Sequence, residues 1–340
     1  SDPLHVILAH HRPIALTVQS PHCDLKNQTY SALLLTRLML GQNTIVCHAE
    51  NSPRTNPKPF TTPKTSRLME HAEFLSILEE LRTSEDNTTH FSEAWSQGRS
   101  AFGGLAAAFV VTAMRKLIAE NIPMRSLMVS FIAPLPPGKI EARASIQRQG
   151  RNVTQMVGEV FSDGRLCVQA LGVFGIDRPG LTVEAESIEP PSRDIGITFS
   201  EYRKRLPSFL SFFDGRWTSD GLPYSGKAAR ELSFWVRHKN PLEQFAAEKL
   251  VAIADIPPPV ILSHFQKPLI PSSSLTWNLE FVMTPDSIHG DWFYLKFGVD
   301  AANNGYTQQS GKIYTEQGKL CALTRQCMVY FDTPRSPTTP

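Results

Sequence analysis

The sequence predicts an α+β fold built twice, an antiparallel sheet wrapped around one apolar helix and then the same unit again. Three observations carry this. Residues 103–120, GGLAAAFVVTAMRKLIAE, read as a helix too apolar to face water on any side, so the fold must enclose it. Four strand-like runs follow it: RSLMVSFIA, KIEARASIQRQ, VTQMVGEVFS and LCVQALGVFG, the middle two with the alternation of half-buried strands. The pattern then returns as ELSFWVRHK, the helical PLEQFAAEKLVAIAD, and the runs SLTWNLEFVM, DWFYLKFGVDAA, YTQQSGKIYT and KLCALTRQCMVYF.

Each element has local reasons. His90-Phe91 opens a short strand and Trp95 to Gly98 makes a turn. Asp163-Gly164 is a hairpin signal, and Gln317-Gly318 occupies the same place in the second half. Pro241 suits a first helical turn. RLMEHAEFLSILEELR has Leu68, Phe74, Leu75 and Leu78 spaced for one helix face. The expected organisation is an irregular N-terminal extension with a helix (1–85), a first domain (86–178), a Pro/Ser/Gly-rich linker with packed aromatics Phe209, Phe212, Phe213 and Trp217 (179–229), a second domain (230–333) and a tail (334–340).

Composition narrows the function classes. The 340 residues carry a formal charge of only +2, with basic residues scattered, which argues against a nucleic-acid binder. No apolar run approaches the roughly 20 residues of a membrane helix. Cys23, Cys47, Cys167, Cys321 and Cys327 are odd in number and form no CxxC, so a disulfide framework and a zinc ribbon are both disfavoured. A reducing, intracellular and cytoplasmic setting is expected, with a peroxisomal one left open although SPTTP is no peroxisomal address. GxSxG, GxGxxG, GxxxxGK[ST] and HExxH are absent. His5, His10, His11 and His22 lie in the irregular N-terminus, and neither a metal nor a cofactor is expected.

The paired glycines Gly103-Gly104 are unusual where a helix begins, because glycine costs about 1 kcal/mol relative to alanine inside a helix. They suit a close approach of strands or ligand, and bare N–H groups at a helix start attract an anion or a polarised carbonyl. Trp95 and Gly98-x4-Gly103-Gly104, then SLMVSFIAPLPPG, then QRQGRNVTQMVGEVFSDGRLCVQALGVFG, resemble the hotdog fold. With SLTWNLEF, DWFYL and GKIYTEQGKLCALTRQ in the second half, the chain resembles the double-hotdog acyl-CoA thioesterases related to the bacterial type II enzymes. The likeness covers residues 86–178 and 230–333, and residues 1–66 have no counterpart in it.

The resemblance implies a tandem hotdog, two antiparallel sheets each around a central helix, pairing edge to edge as an internal pseudo-dimer. It further implies that a carboxylate, a hydroxyl and a glutamine of the second half hold a water that attacks a thioester carbonyl. Here these are Asp255 at the helix end, Gln326 on the last strand, and Ser274, with Thr276 two residues on as the alternative hydroxyl. Gly103, Gly104, Phe102 and Trp95 are the candidate substrate-binding residues. The partner implied is an acyl thioester of CoA or of a carrier protein, with further association into a homo-oligomer expected to be open to the chain. The first half has no comparable acid and reads as a degenerate copy that supplies binding surface. IPPPV after Asp255 departs from the simpler bacterial pattern and implies a reshaped pocket.

Rival readings are a hotdog enzyme acting on carrier-bound chains by release, cyclisation or dehydration, a non-catalytic acyl-binding module, and a partner-binding protein on a degenerate hotdog. Dehydration is disfavoured because neither central helix contains a His, and His264, just past the second, has no spaced Asp besides Asp255.

Overall fold

The computed structural model describes residues 73–266 and 270–332, all within one compact unit that spans Thr61–Pro340. The N-terminal histidine group, the SALLLTRLML run, Leu68 and the C-terminal tail lie outside the described residues. The first helix, α1 (Phe74–Thr83), buries Phe74, Ile77, Leu78 and Leu81, the one-faced pattern expected of that segment. Strand β1 (Thr88–Phe91) follows, then the small hairpin β2 (Ser96–Gln97) and β3 (Ser100–Ala101).

Helix α2 (Gly103–Arg115) is shorter than its sequence suggests. It stops well before Pro123, and the Arg115 guanidinium donates to the Ile122 carbonyl at 2.7 Å, tying the exit segment to the last turn. Every residue from Gly104 to Met114 is buried. A helix enclosed on all sides needs no polar stripe, which is why this one has none.

Strands β4 (Met124–Phe131), β5 (Gly138–Gln149), β6 (Val153–Ser162) and β7 (Arg165–Gly175) form the first meander around it. Asp163 and Gly164 both take positive φ at the β6–β7 hairpin. The second half repeats this order with β10 (Glu231–His238), α3 (Ala246–Ala254), β11 (Ser272–Phe281), β12 (Phe293–Asn303), β13 (Tyr306–Thr315) and β14 (Leu320–Tyr330).

The two meanders fuse into a single antiparallel sheet of 12 strands through β4 and β11, which pair from Ser126–Glu280 to Ser130–Thr276. The expected linker is structural as well. Its β8 (Ile197–Thr198) and β9 (Phe213–Trp217) extend the sheet beyond β10, and Phe209 and Phe212, from the segment that joins these two strands, pack against the core. Helices α2 and α3 run antiparallel in contact: Gly104 meets the Ala252 carbonyl, and the Thr112 hydroxyl donates to Glu248 at 3.3 Å. Burial lifts the Glu248 carboxyl to about 7.

Leu127 and Leu279 sit next to each other at the β4–β11 join, both fully buried. Leu279→Ala is expected to cost about 2–5 kcal/mol. Because the sheet is continuous across the join, calorimetry should show one cooperative transition moved to lower temperature. A second, unshifted transition would mean that the halves melt independently.

Candidate active site

The site is built where the C-terminus of α3 lies beside the N-terminus of the antiparallel α2. Asp255 caps the C-terminus of α3, in the sparsely used region at φ −99°, ψ 0°. A carboxylate there opposes its own helix dipole. The antiparallel arrangement resolves that conflict, since the same carboxylate lies at the N-terminus of α2 and accepts the Gly104 N–H. The Gln326 side chain donates from Nε2 to Asp255 Oδ1 at 2.6 Å. Asp255 keeps partial exposure while its neighbours close over most of it, and burial pushes its carboxyl up to about 7 against the opposing pull of Gln326 and Gly104.

This geometry explains the paired glycines. A Cβ on Gly103 would sit 2.5 Å from Asp255 Oδ2, and one on Gly104 would sit 2.6 Å from the Phe102 ring and 2.8 Å from the Ala252 carbonyl oxygen. Neither residue has a positive φ. The requirement is for space between two helices, not for an unusual backbone.

The candidate hydroxyls separate. In a regular strand Ser274 and Thr276 would share a face. A bulge between them breaks the register, so that Ser274 pairs with Met328 and Thr276 with Cys327. Met328 and Gln326 point to the buried side of β14, whereas Cys327 points to the other. Ser274 therefore shares the inner face with Gln326, and Thr276 is exposed on the outer one, in a groove with Met128, Leu171 and Arg325. Of the two expected hydroxyls, only Ser274 is on the side of Asp255.

The expected substrate contacts also divide. Gly103 and Gly104 border the carboxylate. Trp95 and Phe102 are fully buried instead, Trp95 stacked on Phe212 at 4.0 Å and Phe102 on Phe209 at 3.9 Å. They hold the 208–213 segment against the start of α2, and their apolar area is spent on core packing. His264 is exposed and faces the Ala229 carbonyl at 3.2 Å.

Gln309, which sequence reasoning missed, joins the hydrogen-bond network of Gln326 and Asp255. It lies opposite Gln326 across β13–β14, is 1% exposed, and donates from Nε2 to Gln326 Oε1 at 3.1 Å. Its own Oε1 accepts the Val260 N–H at 3.0 Å. Only the strand register could have revealed it, since YTQQSG carries no chemical signature of its own.

The first half fills the equivalent positions with apolar groups. The matching bulge in β4 falls between Met124 and Ser126, which sets Met124 against Ser274, Gly172 against Gln326 and Met156 against Gln309. Met114, near the end of α2, rests on Gly172 so closely that a Cβ there would lie 2.5 Å from its Sδ. The polar set thus exists in one half only.

Two meanders, each around an enclosed helix and fused edge to edge, define the double-hotdog class. Family models for the acyl-CoA thioesterase N-terminal and C-terminal domains match residues 91–175 and 185–330, and the chain belongs to that family. The second match begins inside the expected linker, in keeping with the strands found there. Among solved structures, a hot dog fold protein of unknown function from Alicyclobacillus acidocaldarius is similar at TM-score 0.66 and 20% identity, over 76% of this chain and 98% of that one. A putative thioesterase II from Thermobifida fusca aligns at TM-score 0.62 and 16% identity, over 76% and 97%. The acyl-CoA thioesterase II TesB2 of Mycobacterium marinum aligns at 0.58 and 18%, over 76% and 99%. These likenesses are of fold. No curated protein matches the chain. No helix among the described residues is long and apolar enough to cross a membrane.

Gly103→Ala tests the helix contact. In an ordinary helix this change stabilises by about 1 kcal/mol. Here the methyl group must displace the Asp255 carboxylate, so the variant is expected to melt no higher than the wild type. A higher melting temperature would show that the two helix ends do not meet this closely.

Proposed function

We propose that this chain hydrolyses an acyl thioester through attack by a water that Asp255 deprotonates. The observation that carries the proposal is the Gln326–Asp255 hydrogen bond of 2.6 Å, made at the N-terminus of a helix belonging to the other half. Membership of the acyl-CoA thioesterase family supplies the reaction class.

A thioester is already activated, so no covalent nucleophile is needed. A general base works best with a pKa near the working pH, and burial brings the Asp255 carboxyl to about 7. Gln326 holds Oδ1, leaving Oδ2, the oxygen beside Gly103, to take the water's proton. The bare backbone at Gly103 and Gly104 lets the carboxylate lie against the first turn of α2, close to the positive end of that helix. Ser274, on the same sheet face as Gln326, is the proposed second partner of the water. As hydroxide adds to the carbonyl, the positive end of α2 stabilises the charge that develops on the carbonyl oxygen. Collapse of the adduct expels the thiolate, which takes up the proton held by Asp255.

The acyl carrier is proposed to be CoA. Thiol release from short-, medium- and long-chain acyl-CoA thioesters should fall about 100-fold or more in Asp255→Asn. If the wild type turns over none of these but does turn over a carrier-protein thioester, the biosynthetic reading replaces this one. Equal turnover by wild type and Asp255→Asn would remove Asp255 from the chemistry.

The pH dependence has two signs to check. Catalysis needs the ionised carboxylate, so kcat/KM should rise with pH through about 7. Stability should run the other way. The unfolded Asp titrates near pH 3.9 and the folded one near 7, so the folded state holds the proton more tightly. Its contribution is fully present below about pH 4 and is lost as the pH rises through about 7. Asp255→Asn should therefore melt above the wild type at pH 8 and close to it at pH 4, as measured by thermal denaturation.

A further inference from the structure

We propose that Gln309 is a positioning residue that fixes which end of the Gln326 amide faces Asp255. This rests on the general-base reading above and extends it to a group that touches neither water nor substrate.

A glutamine side chain has an acceptor at one end and a donor at the other, and either end fits the same space. Only a partner that cannot reverse its own role can choose between them. The backbone N–H of Val260 is such a partner, because it can only donate. It donates to Gln309 Oε1 at 3.0 Å, which turns Gln309 Nε2 toward Gln326 Oε1 at 3.1 Å and leaves Gln326 Nε2 toward Asp255 at 2.6 Å. Reversing either amide would set donor against donor at Val260, or oxygen against carboxylate at Asp255. Gln309 and Gln326 are 1% and 3% exposed, so water does not make up for a mismatched end.

The IPPPV run has a place in this network. After Asp255, the Ile256 N–H is used by the Ile253 carbonyl. Pro257, Pro258 and Pro259 have no N–H, so Val260 provides the next backbone donor. Proline also locks φ, so the run is a stiff spacer between the carboxylate and the anchor. Main chain from 255 to 260 and the two glutamine side chains together close a ring. The groups that set the Asp255 carboxyl are its burial, Gln326 and the Gly104 N–H, and no ionised side chain is among them.

The test compares Gln309→Met, Val260→Pro and Asp255→Asn with the wild type, by kcat, KM and the pH profile of acyl-CoA hydrolysis. Methionine keeps the bulk of Gln309 and removes both of its hydrogen bonds. Val260 begins a short 3-10 turn (Val260–His264), a position that accepts proline, so Val260→Pro removes the anchoring N–H at the cost of some buried packing, and serves beside Gln309→Met because the two disturb the core at different places. Both variants should lower kcat about 10-fold, through a misplaced carboxylate, with KM within about two-fold of the wild type. The acid limb of the pH profile should move to higher pH, because Asp255 loses a directed donor. Lowered melting temperature with unchanged kcat and a superimposable pH profile would overturn the proposal and leave Gln309 a packing residue. If Asp255→Asn is inactive while both other variants behave as the wild type, the positioning role fails and the general base stands. If Asp255→Asn is fully active, the general-base reading itself fails.

Discussion

The architecture depends on one contact, the C-terminus of α3 laid on the N-terminus of α2. Bare backbone at Gly103 and Gly104 permits it, since a side chain at either position would meet Asp255, Phe102 or the Ala252 carbonyl. The contact also neutralises an unfavourable feature of each helix. An acid at the end of α3 and unsatisfied N–H groups at the start of α2 become partners. The continuous sheet, joined through β4 and β11, holds the two helices at this distance.

Duplication of the unit gives two equivalent places for a site, and the chain uses them differently. In the second half Asp255, Gln326, Gln309 and Ser274 line the inner face around the helix end. In the first half the positions matching Gln326, Gln309 and Ser274 hold Gly172, Met156 and Met124, and the Met114 side chain packs over Gly172. Methionine suits such a role because its unbranched side chain fits irregular gaps. The first half still takes part in the site by offering the start of α2, so each half supplies what the other lacks.

The linker follows from the same economy of apolar surface. Segment 208–213 stacks Phe209 and Phe212 on Phe102 and Trp95, beside the residues that open α2. Aromatic area expected to contact substrate is thereby committed to fastening the helix start, which keeps Gly103 and Gly104 in place opposite Asp255.

Much of this protein is determined locally. An enclosed helix is readable in GGLAAAFVVTAM, alternating strands in the meanders, and turns in Asp163-Gly164 and Gln317-Gly318, because periodicity and turn chemistry act over a few residues. The duplication is legible in the same way, whereas Asp255 and Gln326, 71 residues apart, are brought together only by the family likeness. Tertiary structure decided the rest. The bulge before Thr276 sends it to the outer face, although period two would keep it with Ser274. Gln309 acquires its role only when β13 is registered against β14, and Trp95 and Phe102 become core only when the 208–213 segment lies over them. Register and cover are set by groups far apart in the chain, whose pairing is a property of the packed sheet and of no local stretch of sequence.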